Sequence, residues 1–350
     1  MPTRTGLRLA LAVAVVLLAA PAAALKYAPP QHHLPVDPAM PSWHPGPLQI
    51  APEEEFNLVG ADVMDEITLG WVKLFRQAYP LLSVTMEARA SGAGAPALVA
   101  GRAHAAPVGR ELLPDEERAF MDKYGYAPLA IRVATGSVSS LGKTAATVIL
   151  VNKDNPIEGL TFAQLDAIYS KTRNRGHTDI QRWGDLGLKG PWAQRPIHLY
   201  GLKPPNGIEW FFRNRVLLGG EWKDGIEAVK GQGFTHAFTV AAHDMAQHPG
   251  GLTYALLANV TADVRVVPLA ETDHQPFVAP TLEAVASHKY PLSRYVYIFV
   301  NRPPGKPLEP KLKEFLELVL SREGQQVVAD EGVYIPLTAE VVREELRKLD

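Results

Sequence analysis

The chain has 350 residues, with 35 Lys and Arg against 37 Asp and Glu, a net charge of −2 and no cysteine. This balance argues against a function built on a basic nucleic-acid surface, and the lack of cysteine excludes disulfides and a lipid-anchored N-terminal cysteine. A folded part of about 300 residues is larger than one comfortable core, so two lobes are expected.

The first 24 residues read as an export signal. Arg4 and Arg8 form a basic start, Leu9 to Ala20 an apolar run, and Ala22-Ala23-Ala24 a small-residue cleavage site. Removing them shifts the net charge from −2 to −4, because Arg4 and Arg8 leave and no acid does. The expected location is the periplasm. Residues 25–52 carry eight prolines, with His32, His33 and His44 among them. Such a stretch builds neither helix nor sheet and reads as an extended tether or a packed-down arm. The histidine spacing matches no zinc pattern, and no metal or other cofactor is expected.

Strands and helices then alternate. Phe56 to Gly60 is a strand, and Val63 to Ala78 a helix with Ile67, Trp71, Leu74 and Phe75 on one face, closed by Pro80. Ser83 to Ala88 is the second strand, and Ser91-Gly92-Ala93-Gly94 opens a helix. Leu129–Ala134 and Thr147–Asn152 are strands, and Thr161 caps a helix ending at Tyr169. Ile197–Tyr200 is a strand leading to a helix over Ile208–Val216. Val264–Leu269 and Tyr295–Val300 are strands. Helices over Lys311–Leu320, Glu323–Asp330 and Val341–Lys348 finish the chain. The alternation predicts α/β lobes with mostly parallel sheets.

Several blocks carry a resemblance. They are Trp71-Val-Lys-Leu-Phe with Tyr79-Pro80, Ser91-Gly-Ala-Gly94, Val151-Asn-Lys-Asp-Asn-Pro156 with Leu160-Thr-Phe-Ala-Gln-Leu165, Trp183-Gly-Asp-Leu186, Tyr290-Pro-Leu-Ser-Arg294 and Ser321-Arg-Glu-Gly324. In order and spacing the chain resembles the phosphate-binding-protein (PstS-like) branch of the type 2 periplasmic binding proteins, over about residues 53–350. The resemblance implies two lobes joined by two hinge crossovers, with ligand held in the cleft between them. By position, lobe 1 is 53–135 plus 291–350 and lobe 2 is 136–290. It also implies an ABC permease as partner, a monomer, and a binding protein with no catalytic residues. No nucleophile–base pair or metal motif points to an enzyme.

The cleft loops depart from the family pattern. The family's fourth loop reads Arg-Asn-Ser-x-Ser-Gly-Thr; here the Arg position is Leu202 and the end is Asn206-Gly207-Ile208, after two prolines. Lys203 partly replaces the Arg, as a point charge in place of a fork. In the first turn, Ala61-Asp62 stands where Ser or Thr is usual. Asp62 either accepts a hydrogen bond from a protonated ligand oxygen or simply caps a helix. Ser91, Gly92 and Ala93 match best, either as an oxygen-binding turn or as a turn built for close packing. His104 and Val108-Gly109 replace a family Asp and a polar pair, while Arg110 is kept, as ligand or as ion-pair residue. Thr235 is the hydroxyl surviving in a later Gly-rich turn. A buried oxyanion needs most of its oxygens satisfied. Three readings therefore stay open: phosphate or a related small oxyanion bound through backbone donors, another ligand, or an accessory or sensor protein with no small ligand.

Overall fold

The computed structural model describes residues 34–51, 54–138, 140, 142–202, 204–228, 240, 241, 243–245 and 247–350. Its strands are β1 (Glu55–Ala61), β2 (Ser83–Arg89), β3 (Ala105–Val108), β4 (Leu129–Thr135), β5 (Thr147–Asn152), β6 (Leu160–Thr161), β7 (His198–Gly201), β8 (Glu227–Ala228), β9 (Gly251–Leu256), β10 (Val264–Val267), β11 (Leu269–Ala270) and β12 (Tyr295–Val300). Its α-helices are α1 (Asp65–Ala78), α2 (Gly94–Ala100), α3 (Pro114–Tyr124), α4 (Phe162–Tyr169), α5 (Gly207–Leu217), α6 (Leu282–Ala286), α7 (Pro310–Val319), α8 (Arg322–Glu331) and α9 (Ala339–Arg347).

Two five-stranded sheets form the cores of two lobes, ordered β2-β1-β3-β12-β4 and β10-β5-β9-β7-β8. The strand pairing refines the expectation of mostly parallel sheets. β1 runs parallel to β2 and β3, and β7 parallel to β8 and β9. β12 is antiparallel to both β3 and β4, and β5 to both β9 and β10. Each antiparallel pair includes β5 or β12, the strands that follow the two crossovers. In the first lobe β4 carries the chain out and β12 carries it back, and these two lie side by side and antiparallel.

Local sequence explains most elements. In α1, Ile67, Trp71, Val72 and Phe75 are buried, and Asp65 and Glu66 sit in the first turn, where the helix dipole favours acids. Trp71 Nε1 donates to the carbonyl of Gly324, 2.8 Å away, tying α1 to α8. Thr161 caps α4 by accepting from the Gln164 N–H while the Gln164 side chain accepts from the Thr161 N–H, a reciprocal box. The single strand expected over Val264–Leu269 is two strands, because Pro268 breaks the ladder between β10 and β11.

The described part of the proline-rich arm is packed down. Met40 is buried; Trp43 Nε1 donates to Glu314 Oε1 at 2.8 Å, and the Ala339 N–H donates to Asp37 Oδ2 at 3.0 Å. Prolines lower the entropy lost when such a segment is fixed.

Candidate functional site

Two crossovers, 136–146 and 287–294, join the lobes and bond to each other. The Gly136 N–H donates to the Arg294 carbonyl at 2.8 Å, the Thr147 N–H to the Leu292 carbonyl at 3.1 Å, and Thr135 Oγ1 lies 2.9 Å from His288 Nε2. His288 stacks on Tyr295, ring centres 3.8 Å apart, and burial, with the nearby Arg132 charge, depresses its pKa to about 4.

Four loops meet in front of this hinge. The first, after β1, is a single 3₁₀ turn over Asp62–Met64, with α1 starting only at Asp65. The helix-cap role open to Asp62 is not what the structure shows. Met64 holds the cap position of α1 and Ala61 that of the 3₁₀ turn, and the exposed Asp62 carboxylate accepts from the next N–H, that of Val63, at 2.9 Å. The second loop is another 3₁₀ turn, Ser91-Gly92-Ala93, leading into α2. Ser91 is half-buried and Gly92 exposed.

The third loop, after β3, brings Gly109 and Arg110. A Cβ built on Gly109 would lie 2.6 Å from Val63 Cγ2, 2.8 Å from Thr144 Oγ1 and 3.5 Å from Ser91 Oγ. Only glycine admits this approach. Arg110 takes the ion-pair role. Its Nη1 and Nη2 meet the two Glu116 oxygens at 2.6 and 2.7 Å, and each side chain is 14% exposed. This fork-on-fork pairing neutralises the cation that an anion would otherwise meet. Glu116 is anchored in turn by the Leu113 N–H, at 2.8 Å, in the first turn of α3.

The fourth loop belongs to the other lobe and caps α5. Asn206 Oδ1 accepts from the N–H groups of Ile208 (2.8 Å) and Glu209 (3.3 Å), so its own side chain satisfies two of the donors a helix start offers an anion. Gly207 lies against Arg110: a Cβ there would overlap Arg110 Cδ and stand 3.2 Å from its Nε. Lys203 and Thr235 lie outside the described residues.

Sequence reading missed the crossover loop. Thr144 Oγ1 donates to the Gly109 carbonyl, its N–H faces Tyr334 Oη at 3.3 Å, and Tyr334 Oη donates to the Val63 carbonyl at 3.0 Å. Lys143 pairs across the lobes with Glu66 (2.8 Å), Glu331 (3.5 Å) and Asp65 (3.9 Å). The signal was present as Gly136-Ser-Val-Ser-Ser-Leu-Gly-Lys-Thr144, a hydroxyl-rich run bounded by glycines between two apolar strands. Beside the cleft, further along α5, a cavity of about 520 Å³ is lined by Phe211, Arg294, Glu111 and Tyr297. Arg294 Nη2 meets Glu111 Oε2 there at 2.9 Å, with the guanidinium 4.7 Å above the Phe211 ring.

Two lobes, two crossovers and four converging loops describe a clamshell. The profile of the PBP superfamily domain matches residues 49–323. The phosphate-binding protein PstS of Pseudomonas aeruginosa PAO1 is 36% identical over 317 residues, covering 90% of this chain and 92% of that protein. The chain is a PstS-like member of the PBP superfamily. The PstS of Staphylococcus aureus MRSA252 is 25% identical over 260 residues, 74% of this chain and 71% of that protein. Among solved structures, the PstS of Borrelia burgdorferi superposes with a TM-score of 0.54 at 16% identity, over 82% of this chain and all of that one. An ABC-type phosphate transport receptor from Vibrio cholerae superposes with a TM-score of 0.52 at 19% identity, over 81% and 99%. These two bear on the fold, and both agree with two lobes. The relatives are binding proteins. Among the described residues no helix is long and apolar enough to cross a membrane.

Proposed function

We propose that this chain is a periplasmic solute-binding protein, cleaved from its leader after residue 24, that closes its two lobes on phosphate or a related small oxyanion and presents the closed form to an ABC permease. It acts as a monomer and carries out no catalysis. The observation that most supports this is the collection of the Ser91 hydroxyl, Gly109, Arg110 and the start of α5 around one interlobe point, in a chain matching a named phosphate-binding protein over nearly its full length. The grip differs from an all-cation one: Arg110 is neutralised by Glu116, leaving hydroxyls and backbone N–H groups as the donors.

The same neutralised Arg110 and the self-capped α5 favour a second reading, a binding-protein-like accessory or sensor whose ligand is not phosphate. A thermal-shift panel of the leaderless chain against phosphate, arsenate, sulfate, phosphonates and small carboxylates separates the two. A ligand of the folded state raises the melting temperature by mass action. A saturable rise with phosphate supports the first reading; a rise only with a carboxylate or phosphonate supports the second.

A further inference from the structure

The cavity of about 520 Å³ along α5 has no part in the function proposed above. Its walls come from both lobes and from the second crossover: Trp210, Phe211 and Leu218 from α5 and its end, Tyr295 and Tyr297 from β12, and Ser293-Arg294 from the crossover. Its size is that of a small-molecule pocket, and most of these walls are apolar or aromatic, with Leu218 left 51% exposed. The strongly polar place in it is incompletely satisfied. The Arg294 side chain is 3% exposed, and of its three nitrogens only Nη2 meets an acceptor among the described residues, Glu111 Oε2 at 2.9 Å; Nε is buried with none. The neighbouring Ser293 Oγ is likewise buried without a partner. A guanidinium carries five N–H donors, and buried donors normally find acceptors. The Arg294 guanidinium lies 4.7 Å from the centre of the Phe211 ring, so the charge borders an aromatic wall. Arg215 adds a second cation to the lining, paired with Glu271 from outside it, and Glu111 is the one carboxylate among the lining residues.

We propose that this cavity is a second binding site, for a small carboxylate with an apolar, planar body. The ligand's carboxylate shares the Arg294 guanidinium with Glu111, taking N–H groups that Glu111 leaves over, and its body packs against Trp210, Phe211 and Tyr297. An ammonium group would meet the Arg294 charge, and a bare inorganic anion would leave the aromatic walls unfilled. The site does not depend on what the four loops hold, because Ser91, Gly109, Arg110 and Asn206 do not line it.

The test is calorimetric titration of the leaderless chain near neutral pH with phenylacetate, phenylethanol and phenylethylamine, one ring carrying in turn an anion, a neutral hydroxyl and a cation. The expected result is saturable binding of phenylacetate, roughly tenfold or more tighter than either analogue, and unchanged in Ser91→Phe, where the loop cleft is filled. Arg294→Met should weaken phenylacetate roughly tenfold, and Glu111→Gln, which frees the guanidinium, should tighten it roughly two- to fivefold. If Arg294→Met does not fold, Trp210→Ala takes its place, with a loss of roughly tenfold expected from the missing aromatic wall. No binding of phenylacetate by the wild-type chain, or equal binding of all three probes, overturns the proposal. Loss of phenylacetate binding in Ser91→Phe also overturns it, since that puts the ligand in the loop cleft, and so does an affinity unchanged in Arg294→Met or its replacement. A chain that takes phenylacetate and not phosphate keeps this proposal and overturns only the oxyanion reading.

Discussion

The stem of Arg110 lies flat on the backbone of Gly207, so a Cβ at 207 would overlap Arg110 Cδ. One residue comes from the third loop of the first lobe and the other from the start of α5 in the second. Arg110 cannot swing aside cheaply, because Glu116 holds both its terminal nitrogens.

Gly207→Ala should therefore hold the lobes apart. A misfit of this kind costs on the order of 1–2 kcal/mol, roughly a factor of ten in ligand affinity. Titration with phosphate should show that loss, and small-angle scattering should show a larger radius of gyration than wild type. A variant as compact and as tight-binding as wild type would contradict the contact.

Glu116→Gln releases Arg110 from its carboxylate. Losing the charged pair should lower stability by about 1–3 kcal/mol in urea unfolding, while phosphate affinity rises because a guanidinium becomes available to the anion. If affinity falls in parallel with stability, Arg110 has only its structural role.

Lys143 links the crossover to Glu66, Asp65 and Glu331 of the first lobe. Two of these partners are largely exposed, so the net worth is small, ~0.5–1 kcal/mol, and screened by salt. Lys143→Met should lower phosphate affinity by roughly two- to fivefold at low ionic strength and leave it almost unchanged in strong salt. An effect of the same size at both ionic strengths would count against an electrostatic interlobe clasp.

His288 supplies a pH dependence. Its folded pKa of about 4 lies below the ordinary imidazole value, so between about pH 6.5 and 4 the unfolded chain binds the extra proton. The stabilisation from the neutral ring is complete above that window and lost as pH falls through it, on the order of 3 kcal/mol in all. Melting curves from pH 7 to 4 should show a steeper decline for wild type than for His288→Gln. Parallel declines would mean that carboxylates alone set the acid limb.

Much of this architecture is written locally. Thr161 and Gln164, three residues apart, are enough to mark the start of α4, and the spacing of Ile67, Trp71 and Phe75 marks the buried face of α1. The site was less legible because its decisive contacts are long-range. That Arg110 is spent on Glu116 depends on where α3 begins, and that Thr144 fills the space at Gly109 depends on how a crossover 35 residues away folds back. A strand such as β9, buried on both faces, lacks the alternation that announces a half-exposed one. Asp62 misled for a simpler reason: a 3₁₀ turn over Asp62–Met64 precedes α1, which starts at Asp65 with Met64 at its cap position.

The most direct measurement is a calorimetric titration of the leaderless chain with inorganic phosphate, after unfolding, dialysis and refolding to strip any ligand carried through purification. One saturable site per chain is expected, lost when Ser91 is replaced by a bulky residue such as Phe. No heat and no saturation with phosphate, from a chain that has demonstrably refolded, would contradict it.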